Sequence, residues 1–278
     1  MKKVLLGILF VLINVSLPLW GQERSVSLQT QDGWTLTARY LPGKTENKTV
    51  VLLHDIGKTH AAFETFTDKL AIAGIGYLSL DMRGHGGSIS KGPYTSFAKE
   101  GVDNEYNKMI RDVNAAIEYL KKEGRTEQEI VLIGAGMGAN VAAKAVSLWP
   151  DLSGLALITP VTNFRDVLPI PSLRVYKGLV FIAAAADDKK TFLEASVMRN
   201  VAFLSSGEGR VTFATAYDKK GHELLDSWVS AELLQWLKTP QKPEVLPDVN
   251  LSEEPEETGF VPPAASDTET ILIPSVLQ

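Results

Sequence analysis

Ile130-Val131-Leu132-Ile133-Gly134-Ala135-Gly136-Met137-Gly138-Ala139-Asn140 is the stretch that decides how this chain folds. Four consecutive apolar residues, Ile130 to Ile133, mark a strand buried on both faces. Glycines at alternate positions then turn the chain. The residues from Met137 to Leu148 read as a helix. A strand that enters a helix through so tight a turn holds its middle residue on a strained bend, which only small neighbours permit. Gly134 and Gly138 fill those neighbour positions, and the middle residue is Gly136.

Outward from this turn, strands and helices alternate. Ser25–Thr30 and Trp34–Tyr40 alternate in polarity around the turn Gln31-Asp32-Gly33 and read as an antiparallel hairpin. Short apolar runs follow at Val50–Leu53, Gly76–Leu80, Leu155–Ile158, Val180–Ala183 and Val211–Ala216. Helical periodicity is expected over Asn104–Lys122, about Thr191–Phe203 and about Glu223–Lys238, the last with Leu224, Leu225, Trp228, Leu233 and Trp236 inward. Alternation of this kind predicts a mostly parallel eight-stranded sheet, with the hairpin as its antiparallel edge and helices on both faces. The connection from Thr159 to Gly178 is too short for a large lid, so any cap is minimal.

The ends have other compositions. Met1-Lys2-Lys3 and the apolar run Val4–Trp20 read as a signal peptide over residues 1–21, and predict a secreted or periplasmic protein. The alternative is an uncleaved N-terminal membrane anchor, weakened by Asn14 and Pro18. Residues 25–238 form the folded domain. Residues 239–278 interleave prolines with Glu244, Glu253, Glu254, Glu256 and Glu257 and read as a disordered tail, whose apolar end, Ile271-Leu272-Ile273, could engage a protein partner. A net charge of −5 argues against nucleic-acid binding. The chain has no cysteine, which removes thiolate chemistry, and with four histidines a metal cluster would have to lean on carboxylates, so no metal is expected.

Alternate glycines between strand and helix also invite a dinucleotide-binding reading. That fingerprint is Gly-x-Gly-x-x-Gly. Here the last gap is one residue short, four strands precede the turn, and the next strand runs into Thr159-Pro160 rather than an acidic residue. No cofactor is expected.

Further motifs occur in order along the chain. His54-Asp55-Ile56-Gly57 follows one buried strand, and Asp81-Met82-Arg83-Gly84-His85-Gly86-Gly87-Ser88 follows the next. Asp187-Asp188 and Gly221-His222 follow the last two strands. Together with the elbow, they make the chain resemble the α/β-hydrolase family, in particular its dienelactone-hydrolase-like and serine-aminopeptidase-like members, over roughly Ser25 to Lys238. The resemblance implies a nucleophile position at Gly136, an acid at Asp188 or Asp187, a histidine at His222, and an oxyanion hole from the backbone N–H groups of Met137 and Ile56. His54 and the residues Asp81, Arg83 and His85 are expected to brace loops. His60 is expected to be an exposed loop or helix-start residue without a role.

Two departures stand out. The family's elbow carries serine, and glycine offers no atom that can attack a carbonyl. Loss of a triad nucleophile lowers turnover by about a millionfold. Asp55 stands where the family's oxyanion loop has glycine, and a carboxylate there opposes a developing oxyanion. Thr59, Ser88 and Thr159 are the candidate substitute hydroxyls, none of them on the elbow. The expectation is an exported protein lacking serine-hydrolase activity that binds a small ligand or a partner in the former active-site cleft. The alternative is an enzyme using His222 with Asp188 as a general base.

Overall fold

A computed structural model describes residues 21–44 and 47–239. The signal-peptide and tail readings therefore lie outside the described residues, save for Gly21 and Thr239. Among the described residues, no helix is long and apolar enough to cross a membrane.

Polarity alternation shapes the first two strands, β1 (Arg24–Gln29) and β2 (Thr35–Leu41). Leu36, Ala38 and Tyr40 point inward between half-buried or exposed neighbours. The continuous apolar runs become β3 (Thr49–Leu53), β4 (Gly76–Leu80), β5 (Ile130–Ala135), β6 (Gly154–Ile158) and β7 (Leu179–Ala185), all buried on both faces apart from Leu179. β8 (Val211–Ala216) is the half-exposed edge. The eight strands form one sheet in the order β1-β2-β4-β3-β5-β6-β7-β8. β2 pairs antiparallel with β1 and β4, and all other pairings are parallel.

Two cores cover the sheet. On one face, α1 (Glu64–Ile72) contributes Phe66 and Leu70, and the last helix contributes Leu233 and Trp236. On the other lie α2 (Glu105–Lys108), α3 (Ile110–Lys122), α4 (Met137–Ala145), α5 (Ile170–Leu173) and α6 (Lys189–Ser206), with Val113, Ile117, Val141, Leu173 and Met198 inward. Helices on both faces of a mostly parallel sheet are the layers that the alternation predicted.

The sequence reading differs from the structure in three places. The helix expected over Asn104–Lys122 is two helices broken at Met109. There the bonds from Met109 N–H to Tyr106 O and from Asp112 N–H to Met109 O tighten the chain into a three-residue turn. The helix expected over Glu223–Lys238 begins instead as a 3₁₀ turn, Gly221–Asp226, stops at extended Ser227, and restarts as α7 (Val229–Leu237). The Ser227 hydroxyl accepts from Val229 N–H at 3.2 Å, so this serine caps a new helix rather than continuing the old one. The break turns Trp228 outward, 56 % exposed, while Leu224, Leu225, Leu233 and Trp236 stay inward. His60 starts a short 3₁₀ helix, but it is not a bystander. Its backbone N–H and its Nδ1 both meet Asp81 Oδ1, at 2.8 and 2.7 Å.

The topology also places the site. From β3 the chain steps outward to β4, then returns past β3 to β5. The carboxyl ends of β3 and β5 thus flank the point where strand order reverses, the usual crevice of such sheets. β3 pairs with β5 through Leu53 and Gly134, so the His54-Asp55-Ile56 loop and the Gly136 turn leave the sheet side by side.

Candidate active site

Packing fixes the turn after β5. A Cβ on Gly134 would collide with the backbone of Gly138 and Ala139, and one on Gly138 with the backbone of Leu53 and His54. Strand β3, the elbow and α4 therefore meet backbone to backbone. Gly136 sits between them at φ 52° and ψ −117°, left-handed territory that disfavours side chains. Its N–H donates to Ile158 O at 2.9 Å. Asn140, fully buried, ties α4 to the loop after β6: its amide donates to Val161 O and Val167 O, and its Oδ1 accepts from Val161 N–H at 3.1 Å.

The two N–H groups expected to form an oxyanion hole do converge. They converge on Asp55. Its Oδ1 accepts from Ile56 N–H at 2.7 Å and from Met137 N–H at 2.8 Å. The carboxylate also sits at the mouth of the first turn of α4, where the helix dipole favours negative charge. A Cβ built on Gly136 would overlap this carboxylate. The glycine and the aspartate are thus two parts of one arrangement, because the acid fills the space a serine side chain would need.

His54 holds Asp55 in place. Its Nδ1–H donates to the Asp55 carbonyl at 2.7 Å and its Nε2 accepts from Met82 N–H at 3.0 Å, which fixes the neutral tautomer. Burial pushes its pKa down to about 4. Below it, His85 stacks on Tyr94 with ring centroids 4.2 Å apart, and its pKa too is lowered, chiefly by burial. Arg83 is fully buried and braces the same layer through Asp32, Glu105 and Asp112. Burial works against the charge of Asp32, but hydrogen bonds from Arg83, Thr30 and Arg111 outweigh it and hold its carboxyl well below the usual range.

The other half of the expected apparatus is not joined. Asp188 follows β7 and His222 follows β8, on neighbouring strand ends. No hydrogen bond or ion pair links His222 to Asp188 or to Asp187. Asp188 instead caps α6, accepting from Thr191 N–H at 3.2 Å. That backbone bond lowers its pKa. Asp187 is exposed. Of the three hydroxyls, Ser88 is buried and donates to Asp81 O, Thr159 donates to Ile158 O at 2.8 Å, and Thr59 accepts from Ala61 N–H at 3.3 Å. Of these, Thr159 alone lines the cleft.

The cleft is a cavity of about 280 Å³. Asp55, Gly136 and Met137 form its floor, with Val161, Phe164, Asp188 and Lys220 among its walls. A larger cavity of about 430 Å³ lies over the Arg83 network, beside Asp32, Lys91, Glu105 and Arg111. Asp32 and Glu105 there are already paired, and no residue of the elbow reaches it. The cleft above Gly136 is therefore the site candidate. Among the described residues, no group of three or more His, Asp or Glu side chains is placed to hold a metal ion.

Sequence reasoning located both ends of this arrangement but not their contact. The motif alone casts Asp55 as an opponent of an oxyanion, whereas its Oδ1 accepts from both Ile56 N–H and Met137 N–H. The signal lay in the coincidence of an acid at position 55 with a bare residue at 136. Asn140 gives no such signal, because one polar residue in a small-residue helix has no motif around it.

Comparison with known proteins agrees with this geometry. The sequence model for the serine aminopeptidase S33 family matches residues 44–207. No curated protein matches the sequence. Among solved structures, an esterase of Pyrococcus furiosus superposes with a TM-score of 0.64 at 16 % identity, covering 78 % of this chain and 92 % of that one. An esterase of Exiguobacterium antarcticum gives 0.58 at 17 % identity, covering 78 % and 100 %. A dienelactone hydrolase of Anabaena variabilis gives 0.58 at 12 % identity, covering 77 % and 94 %. Identities this low speak for the fold alone. The family match spans more than half of the chain, and its residues include the loop after β3, the turn at Gly136 and Asp188. The chain is a member of the serine aminopeptidase S33 family and has the α/β-hydrolase fold.

Proposed function

We propose that this is an exported α/β-hydrolase-fold protein without serine-hydrolase activity, which binds a small ligand in the cleft above Gly136. One observation carries the reading: Asp55 Oδ1 takes both N–H groups of the oxyanion hole beside an elbow that bears no side chain.

The magnitudes favour it. A missing nucleophile costs about 10⁶ in turnover. Each oxyanion-hole donor lost costs about 3–4 kcal/mol of transition-state stabilisation, and here both are engaged by a resident anion. A tetrahedral oxyanion would have to displace that carboxylate, or lie against it at a like-charge cost of about 1–4 kcal/mol at 4 Å. Water activation by His222 with Asp188 has no supporting contact, since Asp188 caps α6. Export rests on the basic start and apolar run of residues 1–21.

The test is direct. The purified protein is offered chromogenic short-chain esters and a fluorophosphonate probe. The expected result is no turnover above a buffer control and no labelling. Ester turnover that disappears in His222→Ala would overturn the proposal.

A further inference from the structure

An occupied oxyanion hole changes what the cleft can bind. In a working hydrolase that pocket offers two donors to a substrate oxygen. Here both donors are satisfied by Asp55 Oδ1, and the cleft receives the remaining face of the carboxylate. Asp55 Oδ2 has no hydrogen-bond partner among the described residues. The floor has switched from donor to acceptor and carries negative charge.

The walls agree with that polarity. Ile56, Val161 and Phe164 supply an apolar surface, and the Thr159 hydroxyl is committed to Ile158 O. The ionisable groups facing the cleft are Asp55, Asp188 and Lys220. Lys220 makes no ion pair with either carboxylate among the described residues, and its charge acts on Asp188 at the rim. An anionic ligand would meet two carboxylates against the single Lys220 ammonium and find no free N–H on the floor. A neutral acceptor would find none either. A charged donor meets an unpartnered carboxylate oxygen, and charge-assisted hydrogen bonds are the strong kind. The volume of about 280 Å³ sits at the lower bound for ligand pockets, which points to a small molecule.

We infer that the cleft takes a small organic ammonium ion, a primary amine on an apolar or aromatic body, anchored on Asp55. The inference rests on the proposed binding role and names its ligand class. Asp55 is the residue that sets the charge preference. Lys220 limits affinity by repelling the same cation.

Three probes of similar shape test it by calorimetry on the full chain at neutral pH and low salt: phenethylammonium, 3-phenylpropionate and 3-phenylpropanol. Phenethylammonium should bind at least about tenfold more tightly than either of the others. Asp55→Asn keeps an oxygen for the two N–H groups but turns an amide toward the cleft. It should lose at least about tenfold for the ammonium and improve for the carboxylate. A melting curve checks that this variant is folded, and if it is not, the order of the three probes on the unaltered protein decides. The inference falls if 3-phenylpropionate binds as well as phenethylammonium, if Asp55→Asn binds the ammonium unchanged, or if the ammonium fails to bind at about 10 mM, a concentration that would reveal even a millimolar complex. Binding of the alcohol alone sinks this ligand class and leaves the binding role standing. Ester turnover sinks the binding role itself.

Discussion

The strand ends that would form a hydrolase site behave as two different regions. At β3 and β5, the His54–Ile56 loop and the turn at Gly136 are locked: glycine backbones touch, His54 pins the loop, and the N–H groups of Ile56 and Met137 have an acceptor. At β7 and β8, Asp188 and His222 reach the same side of the sheet but do not engage each other, and the aspartate serves its own helix. Backbone-to-backbone packing leaves the first region a single arrangement. The second depends on two half-buried side chains, one capping α6 and one in the 3₁₀ turn, and nothing in the core compels them to meet. Packing alone can hold the frame of such a site while the side chains beyond it are left unjoined.

Acid should divide the two regions most strongly. His54 is buried neutral, with a pKa pushed from 6.5 to about 4 by desolvation. The unfolded chain therefore takes up this proton first as pH falls. The contribution of His54 is fully present above pH 6.5 and is lost progressively between 6.5 and about 4, amounting to about 3 kcal/mol. His85, lowered in the same direction, adds to the slope. Urea midpoints measured across this window should fall with pH. In His54→Gln the fall should be markedly smaller. An equal slope in both proteins would show that the oxyanion region is not held by a neutral imidazole.

The next effect joins the two departures from the family. Gly136→Ser alone places a Cβ at positive φ and onto the Asp55 carboxylate, and should cost about 2 kcal/mol. With Asp55→Gly present, the overlap is gone, so the double variant should be more stable than the sum of the single losses predicts, by about 1–3 kcal/mol. Any gain of ester turnover should appear in the double variant and not in Gly136→Ser. Additive stabilities would mean that the aspartate and the glycine are unrelated.

The sequence made the sheet legible because its strands are short apolar runs separated by helical periods, and burial on both faces writes that pattern directly. The elbow was legible because only glycines permit the approach of Gly134 to Gly138 and of Gly138 to Leu53. The break at Ser227 was not, since a serine inside an amphipathic run reads equally as a polar face or as a cap, and only the chain geometry decides. The contact of Asp55 with Met137 was hidden for a different reason. It joins residues 82 positions apart, and its meaning depends on a side chain that is absent at Gly136. Motif order placed Asp188 and His222 on adjacent strand ends but carried no information about whether they touch.

That last point sets the smallest and most discriminating measurement. If Asp188 is only a helix cap, Asp188→Ala should lose about 1 kcal/mol, and Asp188→Asn should lose little, because asparagine caps equally well. His222→Ala should be nearly neutral, and the double variant should show a coupling within about 0.5 kcal/mol of zero. A carboxylate–imidazole pair would behave otherwise: both single variants would lose stability, and the coupling would exceed that bound. Asparagine separates the cases most cleanly, since it keeps the acceptor for Thr191 N–H and removes the charge that an imidazolium would require. Stability retained in Asp188→Asn together with negligible coupling would leave Asp188 as a helix cap and His222 without a carboxylate partner.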